Sequence, residues 1–349
     1  MNSHFTSRLE KIEAVLRSNL PESPYDGLWR AHSFGKTDAA VDTHHIAELV
    51  EPCNILVSSG GKRWRPLFAV LCAEAVSTHD ANREELTART YRVTPLIEFV
   101  HTASLIHDDI EDGADMRRGK PAVHISRGID TALNAGSWLY FQAAACLQDF
   151  EPSLKAVLYD TFAMELRRLH LGQAMDICWH KDNGKLPSTK EYLAMTALKT
   201  GTLASLSARC GILLGGGSSQ QADKTAEAAA AIGVGFQIRD DIINLTSGNV
   251  GKKRGDDIVE GKKSLPVLYH LEEHPEDFEK LAACFKQAAE EGIESAAVEK
   301  AITLIHTGTA LQKASEKSKT LISDACKTIE KLYPGTEGAS LIGELFSAM

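Results

Sequence analysis

The chain has 349 residues, 43% of them hydrophobic, enough to bury a large core in one big domain or two smaller ones. A net charge of −9 sets nucleic acid aside as the main partner. Seven cysteines, Cys53, Cys72, Cys146, Cys178, Cys210, Cys284 and Cys326, show no C-x-x-C spacing and an odd total, which argues against a disulfide framework or zinc site and for a reducing, cytoplasmic setting.

In chain order, the opening MNSHFTSRLEKIEAVLRSNL alternates charged and apolar residues and lacks the apolar core of a signal peptide. No later tract approaches the ~18 uninterrupted apolar residues of a membrane span. RLEKIEAVL, YRVTPLIEFVHTASLIHDD and ALQKASEKSKTLISDACKTIEKLY carry apolar residues at helical spacing, and aromatics are only 6% of the chain. The fold class is therefore all-α. Breaks are expected at NLPESPYDG, SSGGKRWRP, DGADMRRGKP, KDNGKLPST, LLGGGSSQ, LTSGNVGKKRGDD and EEHPED, each a short cluster of turn residues rather than a linker. That predicts one helical domain over 1–349, with a motif-bearing core at about 55–270 and C-terminal helices over 271–349. No solenoid period is present, but an aspartate pair ends a helical run twice, at LIHDDIED and FQIRDDIIN.

The first pair belongs to SLIHDDIEDGADMRRGKP, which gathers Asp108, Asp109, Glu111, Asp112 and Asp115 and then Arg117 and Arg118. Helical spacing puts Glu98, His101, Leu105 or Ser104, Asp108 and Asp112 on one stripe. Like charges at a helix C-terminus oppose both each other and the dipole unless a cation lies between them. Hard divalent cations such as Mg²⁺ take such oxygen ligands, and arginine forks match phosphate oxygens. An isolated D-D-x-x-D reads more simply as acidic surface; the arginines shift the balance. His101 reads either as a core histidine satisfied by a backbone carbonyl or as a donor to phosphate.

In the second run Gln237, Asp240 and Asn244 share a face, with Asp241 one turn above Gln237. Two acidic walls facing across a cavity are the expectation, as metal sites in helix bundles are built. Basic residues recur in short glycine-containing loops: Lys62, Arg63 and Arg65 in GGKRWRP, Lys199 with Thr200 in ALKTGT, Lys252 and Lys253 in GNVGKK, and Lys262 and Lys263 in EGKKSLP. Any one of these is ordinary surface, but four beside two acidic clusters suit condensed phosphates. Gln173 and Asp176 in LGQAMDICW read as support for lysines or metals. GGGSSQ lacks the ending of a P-loop. With no nucleophile or triad in view, departure of a diphosphate is the implied chemistry; an allylic cation left behind needs an apolar, dry cavity.

These segments, GGKRWRP, HTASLIHDDIEDGADMRRGKP, LKTGT, FQIRDDIIN and GKKRGDDIVEGKKSLP, occur in the order found in the trans-isoprenyl diphosphate synthase family, which the chain resembles over about three-fifths of its length. ASLIHDDIED, LHLGQAMDICW, EYLAMTALKTG and FQIRDDIINL are similar to eukaryotic-type geranylgeranyl diphosphate synthases, and the first basic loop to bacterial and long-chain members. The resemblance implies an isoprenoid-synthase bundle around a central cavity and a homodimer. It implies three Mg²⁺ per active site with substrate bound, on Asp108 and Asp112 from one side and Asp240 from the other. Lys62, Arg65, His101 and Arg118 would hold isopentenyl diphosphate; Arg117, Lys199, Thr200, Gln237, Lys252 and Lys262 would hold the allylic diphosphate, with Asp109 counted among the catalytic carboxylates.

Small residues one turn before the aspartates, Ala103 and Ser104, leave room beyond a C15 chain, with Phe99 or Phe141 as floor, so a C20 product is expected. Longer polyprenyl and farnesyl products, a class I terpene cyclase and a non-catalytic partner subunit are the alternatives.

Overall fold

The computed structural model describes residues 3–22, 25, 27–180, 186–248 and 253–349. The helices are α1 (Ser3–Asn19), α2 (Gly27–Phe34), α3 (Thr43–Val57), α4 (Trp64–Val76), α5 (Arg83–Arg92), α6 (Thr94–Glu111), α7 (Val123–Arg127), α8 (Ile129–Ala143), α9 (Pro152–His180), α10 (Thr189–Thr196), α11 (Thr202–Leu214), α12 (Ser219–Thr246), α13 (Asp256–Val259), α14 (Leu265–Glu273), α15 (Phe278–Glu291), α16 (Ala296–Ile305), α17 (Ala310–Leu332) and α18 (Glu337–Ser347). Among the described residues the one sheet is a hairpin of β1 (Met116–Arg117) and β2 (Lys120–Pro121), so the all-α expectation holds. Four expected breaks, SSGGKRWRP, DGADMRRGKP, LLGGGSSQ and EEHPED, lie wholly on described residues, and each falls at a helix junction. The run YRVTPLIEFVHTASLIHDD is not one helix: α5 stops at Arg92 and α6 starts at Thr94, because Pro95 has no N–H to give and is accommodated only in a first turn.

The chain forms two compact units: Met1–Met164 with Leu206–Ala226 and Ile329–Met349, and Glu165–Ser205 with Glu227–Thr328. In the first unit α4 is buried nearly all round, from Trp64 to Ala75, as a helix apolar on every side must be. Phe346 of α18 meets Trp64 and Phe68 edge-on at 5.6 and 5.2 Å, and a Cβ on Gly338 would lie 2.5 Å from the Ala75 nitrogen, so glycine lets the two helix backbones touch. Most of α6 is equally deep: Leu96, Ile97, Phe99, Val100, Ala103 and Ile106 are buried, and each large one contributes about 1.5–3 kcal/mol. In the second unit Trp179, Tyr192, Met195, Val234, Ile238 and Leu265 form one core, and Leu245, Ile258, Leu281, Phe285 and Ile302 belong to another.

Candidate active site

In the first unit, α6 delivers the aspartates. Its apolar residues hold the helix, and its last turn emerges with Asp108 half-buried, Asp109 fully buried and Asp112 as the C-cap, whose N–H donates to the Asp108 carbonyl at 2.8 Å. The hairpin then folds back. Its register, Met116 opposite Pro121 and Arg117 opposite Lys120, leaves Arg118 and Gly119 as a two-residue turn with φ +53° and +76°. Positive φ at both positions is what a tight hairpin of this twist needs, although an arginine there is strained.

The turn sends its two arginines different ways. Arg117 Nε donates to Asp109 Oδ1 at 2.6 Å, and its Nη2 lies 3.6 Å from Asp108 Oδ2. Arg118 Nη1 donates to the carbonyls of Leu56, at 3.0 Å, and of Gly60. Burial pushes Asp109 up to about 6 against the pull of Arg117, helped by Asp108 and Asp112. Its Oδ2 is buried without a hydrogen-bond partner among the described residues. Asp109, expected among the catalytic carboxylates, is 0% exposed and holds Arg117.

Two turns earlier on α6, His101 Nε2 lies 3.4 Å from Nη1 of Arg65 on α4, whose guanidinium lies 4.4 Å over the Trp64 ring. Burial, then the charges of Arg65, Arg118, Arg117 and Arg63, hold His101 well below its usual range, so the ring is neutral at pH 7. Arginine can only donate, so Nε2 accepts and the ring proton resides on Nδ1. Lys62 is exposed in the loop before α4. Ser104 is half-buried and turns its hydroxyl onto the His101 carbonyl at 2.8 Å, whereas Ala103 is fully buried. Phe141 is 74% exposed on α8 and so forms no floor within this chain; Phe99, at 0%, remains suited to that part.

In the second unit the lysine loop is a widened helical turn. Between α10 and α11, residues Ala197–Gly201 form a π turn, a form that recurs at functional sites because it pushes a side chain out of helical register. The backbone fits only because its neighbours lack side chains. A Cβ on Gly172 would lie 2.4 Å from the Lys199 nitrogen, and one on Gly233 would lie 2.7 Å from the Gly201 Cα. Lys199 Nζ donates to Asp176 Oδ2 at 2.7 Å, the support expected from LGQAMDICW. Thr200 Oγ1 donates to Gln237 Oε1 at 3.0 Å, and Gln237 Nε2 to Asp241 Oδ1 at 3.0 Å.

Asp240 is exposed, while Asp241 is 5% exposed and takes the Tyr192 hydroxyl at 2.6 Å and the Leu265 N–H at 3.4 Å. Burial, with Asp257 adding to it, pushes Asp241 up to about 7. Asn244 turns inward: its Oδ1 accepts the Asp257 N–H at 3.2 Å, so it anchors the start of α13. Lys262 pairs with Glu260 at 2.6 Å, and Lys263 is buried, donating to the Gly261 carbonyl beneath the Phe285 ring. Lys252 lies outside the described residues.

Tyr192 has no signal in the sequence, and Arg63 is grouped there with Lys62 and Arg65 among the loop cations suited to phosphate. In the structure Arg63 is buried between Glu13 and Glu98. Glu98 was the available signal, since a lone acid in the apolar run PLIEFV must find a buried cation.

An all-α fold whose carboxylate helix ends against arginines suits a class of enzymes that work on diphosphates. The family described as Polyprenyl synthetase matches residues 46–305, and the chain belongs to that family; it is a trans-prenyltransferase. It is 37% identical to a geranylgeranyl diphosphate synthase of Methanosarcina mazei over 67% of this chain and 72% of that one. It is 32% identical to a nonaprenyl diphosphate synthase of Mycobacterium tuberculosis, over 75% and 74%. Among solved structures, a geranylgeranyl pyrophosphate synthetase from Pyrococcus horikoshii superposes with TM-score 0.81 at 26% identity, covering 99% of this chain and 96% of that one. A decaprenyl diphosphate synthase from Rhodobacter capsulatus, at 20% identity and TM-score 0.77 over 99% and 96%, shares the fold. Among the described residues no helix is long and apolar enough to cross a membrane.

Proposed function

We propose that the chain condenses isopentenyl diphosphate with an allylic diphosphate and releases geranylgeranyl diphosphate. The observation that carries this is the sorting of cations in the first unit: Arg117 lies against Asp108 and Asp109, while Arg65 lies beside His101 and Arg118 donates into the glycine loop. One group suits a diphosphate bridged to carboxylates through a metal, the other a diphosphate bound by cations alone. The C20 length is supported by the Methanosarcina mazei relative and by the small Ala103 and Ser104.

In this reading Asp108, Asp112 and Asp240 hold Mg²⁺, three ions with substrate bound. Among the described residues no group of three His, Cys, Asp or Glu side chains closes on an ion unaided. Carboxylates that leave the rest of a shell to water and phosphate are the donor set this ion takes. When bound it neutralises charge gathering on the departing diphosphate. Arg117, Lys199, Thr200, Gln237, Lys252 and Lys262 grip the allylic diphosphate, and Asp176 keeps the Lys199 ammonium aimed. Lys62, Arg65, Arg118 and neutral His101, donating from Nδ1, hold isopentenyl diphosphate. The buried apolar body of α6 keeps water from the cation.

A homodimer is the proposed assembly, supported by the exposed apolar side chains Ile125, Ile129, Leu133 and Phe141 on α7 and α8. The free thiols are in keeping with a cytoplasmic setting. The test is chromatography of products made from isopentenyl diphosphate with each allylic starter and Mg²⁺. A C20 diphosphate is expected; a cyclic hydrocarbon from geranylgeranyl diphosphate alone would make it a cyclase, and no elongation at all a partner subunit.

A further inference from the structure

Arg63 precedes α4 with a left-handed φ of +46°, a backbone conformation that side-chain-bearing residues avoid unless their surroundings enforce it. Its guanidinium, 2% exposed, is bound from three directions. Nε donates to Glu13 Oε1 of α1 at 2.7 Å, Nη1 to Glu98 Oε1 of α6 at 2.6 Å, and Nη2 to the Val57 carbonyl at the end of α3. The residues around it are the ones assigned to isopentenyl diphosphate. Lys62 is its neighbour, Arg65 follows two places on, and His101 lies one turn along α6 from Glu98. The preceding loop turns on Gly60 and Gly61, whose φ of +76° and +148° glycine adopts without steric cost. Arg118 clamps it through the Gly60 carbonyl, and Arg63 clamps its other end.

We propose that Arg63 is a positioning residue for the homoallylic diphosphate, and that α1, through Glu13, is part of the frame that sets Lys62 and Arg65 against His101. Glu13 lies outside residues 46–305, so this gives the N-terminal helix a part in substrate binding beyond the matched family region. The inference rests on the proposed assignment of Lys62, Arg65 and His101 to isopentenyl diphosphate.

The sign of one substitution separates geometry from charge. Glu13→Gln removes a negative charge near a diphosphate site, which by electrostatics alone would tighten binding and lower KM. A positioning role predicts the reverse, because a small displacement of ligand groups is costly. The Glu13 side chain is 31% exposed, so the change does not leave a deeply buried hole. Steady-state kinetics on the full-length Mg²⁺ enzyme should show KM for isopentenyl diphosphate raised roughly threefold to tenfold, with the allylic KM and the melting temperature unchanged. Arg63→Lys, which keeps the charge but not the fork, should move the same KM further. An unchanged or lowered KM for isopentenyl diphosphate in Glu13→Gln, or both KM values rising with a fall in melting temperature, overturns the proposal. Arg65→Ala is run in parallel. If it leaves that KM unmoved, the ligand assignment fails and this proposal with it; if it raises the KM while Glu13→Gln does not, the positioning role alone fails.

Discussion

The two aspartate pairs share a disposition and differ in how it is stabilised. In each, the second aspartate is buried and the first is more open: Asp109 behind Asp108, Asp241 behind Asp240. Asp109 is held by a guanidinium, and Asp241 by a phenol, an amide and a backbone N–H. A charged partner in the first unit brings a phosphate-matching arginine to the site, while neutral partners in the second connect Tyr192 through Gln237 to the Lys199 turn. The same dipeptide thus combines an outward carboxylate, the proposed ligand, with an inward anchor, and the anchor's partner decides what else is delivered.

The comparison breaks first at the outward aspartates. Asp108→Ala should lower kcat by about a thousandfold or more, as loss of a metal ligand does, with circular dichroism and melting unchanged; retained turnover would show that Asp108 holds no metal. The inward position should respond in the opposite sense. Asp109→Ala removes the buried partner of Arg117, which keeps Asp108 at 3.6 Å, and should cost about 2–3 kcal/mol of stability, read as a shifted urea midpoint. Lys199→Ala should reduce kcat roughly a hundredfold, and the same variant measured with a diphosphate inhibitor should bind it weakly. Tyr192→Phe, which removes one hydroxyl from Asp241, should cost only about 1–2 kcal/mol; if it costs as much as Asp109→Ala, the neutral and charged anchors are not distinct. Ser104→Phe should shorten the product with little loss of stability, because Ser104 is half-buried, whereas Ala103→Phe must also overpack a closed site at about 1–3 kcal/mol.

Several of these relations were legible in the chain. Turn residues marked four described helix junctions, and the spacing of Gln173 and Asp176 led to the salt bridge on Lys199. Helical period also placed Asp108 and Asp112 together. It could not say which aspartate of a pair would be buried, since a rotation of 100° per residue fixes relative direction and not what lies in that direction. The π turn at Lys199 was equally invisible, because it depends on Gly172 and Gly233 letting other backbones come close.

By itself, then, the sequence determined the helical class, the order of basic and acidic segments and the type of chemistry, all of which follow from local pattern and from the few ways carboxylates, arginines and lysines bind a diphosphate. Tertiary structure alone decided that Asp109 and Asp241 are anchors, that Phe141 faces outward, that Asn244 serves α13, and that Arg63 leaves its loop for Glu13 and Glu98. Each of those depends on which distant side chain fills the space opposite, and in a packed interior that space is set by residues far away in the chain.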